Sequence, residues 1–356
     1  MKAVLLCAGE GTRLRPLTLS RPKHLLPVAG RAVLDRVLED LIHAGVDEAV
    51  FVVGRRCEPL VEFVGDGSRW GLGVEFCVQE EPLGLAHALQ CAHSAVGDDE
   101  RFLMYLGDDL LGNGVAEFAK EFARGETAAS LIVKPVDDPR AFGVVEAEGC
   151  VVTRLVEKPQ QPRSDLAVVG VYGFSPEIWH AIDSIEPSAR GEFEITDAIN
   201  YLAQSGRRVE CHVTEHFWAD AGSPEALLSA NRFFLERLER QVDGEIDGQS
   251  VLEGPVQIDA GARVVASHIE GPCLIGPDTV VESCRIGPHV SVGAGCRLSG
   301  VSVQDSVIDD GTMISNVSVG MTGCLVGREV QIRDVGGSGP LRMYLADESV
   351  IMSAGG

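Results

Sequence analysis

The chain has 356 residues, is 45% apolar and sets 30 basic against 53 acidic side chains, a net charge of -23. Such a length can bury a sizeable core in two domains, while the acidic balance excludes the broad basic surface that nucleic-acid binding needs. No run nears the roughly 20 apolar residues of a membrane span and the start lacks a signal-peptide pattern, so the expectation is a cytoplasmic protein with no membrane partner. Ten cysteines are scattered without a C-x-x-C pair, which argues against zinc and for reduced thiols used as small core residues.

In chain order, the apolar run KAVLLCA predicts a buried strand over 3–7, too short for a helix and stopped by Gly9. The loop GEGTR follows, with a charged stretch ending in RPKHLLP. Over 31–44, Leu34, Val37, Leu38, Leu41 and Ile42 form one helical stripe, with Gly45 as a left-handed stop. EAVFVVG predicts a strand, 85–96 a helix and RFLMYLG a further strand. Strand, helix, strand implies a mainly parallel, doubly wound sheet. Ser223 and Pro224 announce another helix, running through ALLSANRFFLERLERQ. The glycine-bearing, acidic VDGEIDGQ then marks a boundary, giving domains 1–240 and 241–356. Beyond it an aliphatic residue repeatedly precedes glycine, as in LIGPDTV and RIGPHVSVGAGC, and Ile286 to Val292 is one hexad step. This is the pattern of a left-handed parallel β-helix, whose aliphatic side chains fill a prism with small residues at the corners. An acyltransferase using His268 or His289 and a structural or oligomerising stack are both compatible with it.

The opening loop is neither of the familiar nucleotide fingerprints. Gly9 and Gly11 fit G-x-G-x-x-G but the third position is Leu14, and no G-K-[ST] follows. Small residues with free N–H groups, and Arg13 and Lys23 as cations, suit a triphosphate; a tight turn carrying solvated charges would read the same way. Asp108 and Asp109 follow a buried strand, and Asp220 follows another just before the Ser223 cap. Two carboxylates from distant strand ends are what an octahedral magnesium sharing phosphate oxygens requires. Gln79 ends a strand ahead of Gly84, and an amide can match the imide edge of uracil or thymine.

The blocks LCAGEGTRLRPLT, RPKHLLPV, QEEPLGLAHAL, YLGDD, AFGVV, VEKP, VVGVYGF, RGEFEITD and WADAG, in that order, resemble the sugar-1-phosphate nucleotidylyltransferases, in particular the long-form glucose-1-phosphate thymidylyltransferases with a C-terminal β-helix. The resemblance implies a Rossmann-like nucleotidyltransferase domain, magnesium, and transfer from a nucleoside triphosphate, dTTP or else UTP, to a sugar 1-phosphate such as glucose 1-phosphate. Carried over by position, Gly9, Glu10, Gly11, Thr12 and Arg13 would wrap the triphosphate with Lys23. Gln79, Pro82 and Gly84 would take the base, and Asp108 and Asp220 the metal. Gly143, Glu157, Lys158, Val168, Tyr172 and Arg190 would form the sugar-phosphate pocket. Arg13, Lys23, Asp108, Lys158 and Asp220 would be the catalytic set. A homo-oligomer is expected. The alternatives are a non-catalytic nucleotide- or sugar-binding regulator and a bifunctional nucleotidyltransferase and acyltransferase. His24 stands where glutamine is common, Asp109 where asparagine is, and WADAG replaces tryptophan-leucine-aspartate-threonine-glycine, which leaves the base and sugar open.

Overall fold

The structure, a computed structural model, describes residues 1–352; the last four positions of the expected 241–356 domain lie outside the described residues. Contacts gather the chain into two compact units, one of Met1–Glu10 with Leu34–Trp218, the other of Gly11–Val33 with the chain from Ala219 onward.

The first unit is built on a nine-stranded sheet in the order Gly73–Val78, Glu48–Val53, Lys2–Cys7, Phe102–Leu106, Leu166–Phe174, Ala129–Pro135, Val209–Val213, Val151–Glu157, Gly143–Glu148. Its first four strands run parallel, with Val4 level with Val50 on one side and Met104 on the other. Residues 3–7 are all buried, which is why this strand reads as a continuous apolar run and not as an alternation. Leu34, Val37, Leu38 and Leu41 are fully buried along the helix Val33–His43, and Gly45 at φ +77 closes it. The helical pattern over 85–96 resolves into Leu85–Cys91 and His93–Val96.

The expectation of a mainly parallel sheet is corrected in its second half. Leu166–Phe174 pairs antiparallel with both Phe102–Leu106 and Ala129–Pro135, and Gly143–Glu148 pairs antiparallel with Val151–Glu157. For the last of these pairs the cause is connection length. Between Glu148 and Val151 there is room only for a turn, made at Gly149 with φ +64, and a parallel neighbour needs a far longer crossover. A Rossmann-like parallel half is extended by a mixed half, in which Val209–Val213 runs parallel to Ala129–Pro135 while the other neighbours pair antiparallel.

The second unit is a stack of short parallel strands in three sheets of seven, seven and five. Each coil adds one strand to each sheet, so Val256, Cys273 and Val290 lie level on successive coils. Aliphatic side chains such as Ile258, Val264, Ile269, Ile275, Val281, Ile286 and Val292 fill the interior without exposure. Buried hydroxyls tie coil to coil: Ser267 Oγ accepts from Cys284 N at 3.0 Å, Thr279 Oγ1 from Cys296 N at 3.0 Å and Ser306 Oγ from Cys324 N at 3.0 Å. Cys273, Cys284, Cys296 and Cys324 are buried in this interior, as small core residues should be. The helix Pro224–Leu235 begins where expected, Ser223 Oγ accepting from Ala226 N at 3.2 Å, but ends earlier than its apolar pattern. No helix among the described residues is long and apolar enough to cross a membrane.

Candidate active site

In the first unit, Gln79 is buried at the end of its strand, where its Nε2 donates to Gly84 O at 3.2 Å and lies 3.0 Å from His87 Nδ1. Gly84 adopts φ +107, and a Cβ there would lie 2.5 Å from Phe193 O and 2.8 Å from Phe193 N. The absent side chain thus admits the backbone of Phe193, which itself donates to Leu83 O and accepts from Ala86 N. Pro82 is exposed beside this turn.

Asp108 and Asp109, adjacent in sequence, differ in their surroundings. Both are buried, but the Asp109 carboxylate is built into the sheet: Oδ2 accepts from Gly170 N at 2.8 Å and Oδ1 from Trp218 Nε1 at 3.1 Å. Gly170 has to be glycine, because a Cβ would collide with Asp109 Oδ2. Asp109 is therefore occupied structurally.

The predicted sugar-phosphate residues largely converge. A Cβ on Gly143 would lie 3.1 Å from Thr196 Cγ2, 3.4 Å from Glu157 Oε2 and 3.5 Å from Val168 Cγ2. Glu157 Oε1 lies 3.5 Å from Lys158 Nζ and 3.4 Å from Arg190 Nη1. Arg190 also reaches Glu192 at 3.1 Å and Glu194 at 3.4 Å, so three carboxylates surround one guanidinium. Glu194 is buried, and burial raises its pKa above the ordinary carboxylate range; Ser188 Oγ donates to it at 3.0 Å. Lys158 holds a positive φ of 41, fixed by its N–H donating to Phe142 O at 3.0 Å, and its side chain is exposed. Tyr172 is set deeper, stacked on Phe174 at 5.6 Å, its phenol pushed well above the ordinary range first by burial and then by Glu157 and Asp109. Sequence reasoning missed Glu192, Glu194 and Thr196, although all three lie inside the block RGEFEITD. The Thr196 hydroxyl is buried without a hydrogen-bond partner beside Gly143, an orphan that a sugar hydroxyl could satisfy.

In the second unit, Gly11 at φ +61 turns the opening loop: Thr18 Oγ1 donates to Gly11 O at 2.7 Å, and a Cβ on Gly11 would lie 3.3 Å from Lys23 Cβ. Thr12 and Arg13 next to it are exposed, as are Gly9 and Glu10 of the first unit. Arg13 Nη2 lies 3.2 Å from Asp220 Oδ2, and a Cβ on Gly222 would meet both groups, 2.6 Å from Arg13 Nη2 and 2.7 Å from Asp220 Oδ1. Glycine in WADAG thus leaves room for the predicted cation and carboxylate to pair. His24 is fully buried, and burial together with Lys23 holds its imidazole neutral, well below the usual histidine range. His268 and His289, the histidines an acyltransferase would draw on, lie 3.3 Å from Glu253 and 3.4 Å from Glu236.

No group of three or more histidine, cysteine or acidic residues among the described residues could hold a metal by itself. Asp108 in the first unit and Asp220 in the second are each hard carboxylate donors, the ligand type that magnesium takes.

A nucleotide-handling class of enzyme is what this sheet, these glycines and these strand-end carboxylates define. The chain belongs to the nucleotidyl transferase family, which it matches over residues 2–237. Residues 229–334 match the fucose pyrophosphorylase domain. The chain is 42% identical to a glucose-1-phosphate thymidylyltransferase of Streptomyces antibioticus, over 93% of each chain. It is 36% identical to a UTP--glucose-1-phosphate uridylyltransferase of Haloferax volcanii, over 63% of this chain and 93% of the relative. Among solved structures, a Bacillus anthracis protein described as a glucose-1-phosphate thymidylyltransferase, in complex with sucrose, superposes with a TM-score of 0.61 at 32% identity, covering 65% of this chain and 94% of that one.

Proposed function

We propose that the protein condenses dTTP with glucose 1-phosphate to give dTDP-glucose and pyrophosphate. The observation that carries this reading is the cluster of Gly143, Glu157, Val168 and Thr196, flanked by Lys158 and Arg190, which joins hydroxyl-matching groups to phosphate-matching cations. The Streptomyces relative supports the thymidine nucleotide. The Haloferax relative favours UTP as a second reading, since Gln79 would read an edge that thymine and uracil share.

In this reading a phosphate oxygen of the sugar substrate attacks the α-phosphorus of the nucleotide in line. That bond forms as the bond to pyrophosphate breaks, and no covalent enzyme intermediate intervenes. A sugar phosphate is already anionic at neutral pH, so no residue has to activate it. Gly9, Glu10, Gly11, Thr12 and Arg13 wrap the triphosphate, Gln79, Pro82 and Gly84 take the base, and Arg13 and Lys23 offset charge toward the departing pyrophosphate. Glu157 and Gly143 orient sugar hydroxyls while Val168 and Tyr172 close the pocket. Lys158 and Arg190 take the sugar phosphate, which would compete for them with Glu157. Asp108 and Asp220 would hold a divalent metal, magnesium in this reading, which would supply charge neutralisation at the reacting phosphates.

We further read the parallel stack from residue 241 onward as a left-handed β-helix that follows a catalytic domain of 1–240 in the chain, in a cytoplasmic homo-oligomer; the end of the family match at residue 237 supports that boundary.

Pyrophosphate release from dTTP, UTP, ATP, GTP and CTP with glucose 1-phosphate and magnesium tests the reaction. We expect the highest rate with dTTP, UTP next, and loss of release in excess chelator with recovery on adding magnesium. Equal rates with purine nucleotides would reject the base assignment, and silence with all five would reject glucose 1-phosphate as the acceptor.

A further inference from the structure

Between the two predicted cations of the triphosphate loop lies a third, Arg21, that no step above uses. Its side chain is only 5% exposed. Arg21 Nη2 pairs with Asp309, whose side chain is likewise 5% exposed, and lies 3.4 Å from Asp347. The neighbouring Ser20 Oγ donates to Asp347 Oδ2 at 2.7 Å. Among the described residues Arg21 Nε and Nη1 are buried without an acceptor, and Asp309 and Asp347 are the carboxylates that compensate the buried charge.

Both carboxylates belong to one corner of the parallel stack. Asp309 follows the strand Ser306–Ile308, and Asp347 comes soon after Tyr344–Leu345 in the same sheet. Gly327 lies between them, and a Cβ on it would sit 2.5 Å from Asp347 Oδ1; this oxygen also accepts from Arg328 N at 2.8 Å. The corner thus holds two acids against Arg21, and Arg328 Nε also lies 3.8 Å from Asp309.

The same loop is held again further on. Ala29 N donates to Asn231 Oδ1 at 2.8 Å, which also accepts from Ser291 Oγ at 2.8 Å, and Gly30 packs on Leu274. Lys23 and His24 lie on the segment between these two anchors.

We propose that Asp309 and Asp347 are positioning residues for nucleotidyl transfer: by gripping Ser20 and Arg21 they set the path of the segment that presents Lys23 to the triphosphate. The inference rests on the reading of Lys23 as a triphosphate contact. It gives the C-terminal stack a task in nucleotide binding.

Steady-state kinetics on the full-length protein test it with Asp309→Asn, Asp347→Asn and Lys23→Ala, each checked for wild-type circular dichroism. Asp347→Asn is included because its more accessible side chain makes it the milder change. Both aspartate variants should raise the KM for dTTP, Asp309→Asn by about tenfold or more, with the KM for glucose 1-phosphate changed less than about twofold. A merely structural role would move both constants together or neither, and either result overturns the proposal. If Lys23→Ala raises the dTTP constant while both aspartate variants leave it unchanged, the positioning inference alone fails. If Lys23→Ala leaves it unchanged, the triphosphate reading fails and the inference falls with it.

Discussion

At the scale of single residues, Asp109 shows how a sequence anomaly acquires a cause. Its two oxygens each accept one N–H, from Gly170 and from Trp218. An asparagine offers one oxygen and one NH2, so one of those donors would face another donor. Asp109→Asn should therefore lose about 1–3 kcal/mol of stability, read from urea unfolding; an unchanged midpoint would show that the second N–H finds another acceptor. The departure at position 109 was visible in the sequence, but its reason was not, because the donors are 61 and 109 residues away. Arg190 teaches the same lesson. Its block was legible, yet the three carboxylates around it depend on how a loop and a strand end meet.

At the scale of elements, the helix Val33–His43 carries a partly buried acid, Asp40, toward the sheet. Tyr105 OH, on the strand Phe102–Leu106, donates to Asp40 Oδ2 at 3.2 Å, and a Cβ on Gly114 would lie 2.9 Å from Oδ1. Burial raises the Asp40 pKa from 3.8 to about 6, against the lowering effect of the Tyr105 hydrogen bond. A carboxyl raised on folding binds its proton more tightly in the folded state, so it costs nothing below the unfolded value. The cost grows as pH rises from 3.8 to about 6 and is complete above that. At neutral pH it is on the order of 2–3 kcal/mol. Asp40→Asn, which keeps an acceptor for Tyr105, should raise the melting midpoint at pH 7.5 and lose that gain by pH 4; a gain independent of pH would point to packing instead. Elements of this kind were the most legible part of the chain. The apolar stripe from Leu34 to Leu41 and the Ser223 cap rest on local rules of spacing and hydrogen bonding, whereas the mixed half of the sheet depends on which distant strands pair.

At the scale of the whole molecule, the compact units do not follow chain order, since residues 11–33 group with the chain from Ala219 onward. Composition and repeat period revealed a change of texture near residue 240, but no local pattern could show that the loop at the start belongs with the repeats near the end. Arg21 and Asp309 are 288 residues apart, and neither sits in a motif that names the other. Cutting the chain after Arg240 would strip Arg21 of both carboxylates and take Leu274 away from Ala29 and Leu235. We expect trypsin to cleave such a truncated chain at Arg13 and Arg31 well before it attacks the full-length protein there. Equal protection would mean that the loop holds its course unaided. The grouping also bears on inheritance. Two relatives that exchanged everything beyond residue 240 would each receive a stack matched to another protein's opening loop, with acids and arginine selected apart. A viable hybrid has to carry residues 11–33 along with the coils, so the heritable module here is two separate stretches of gene.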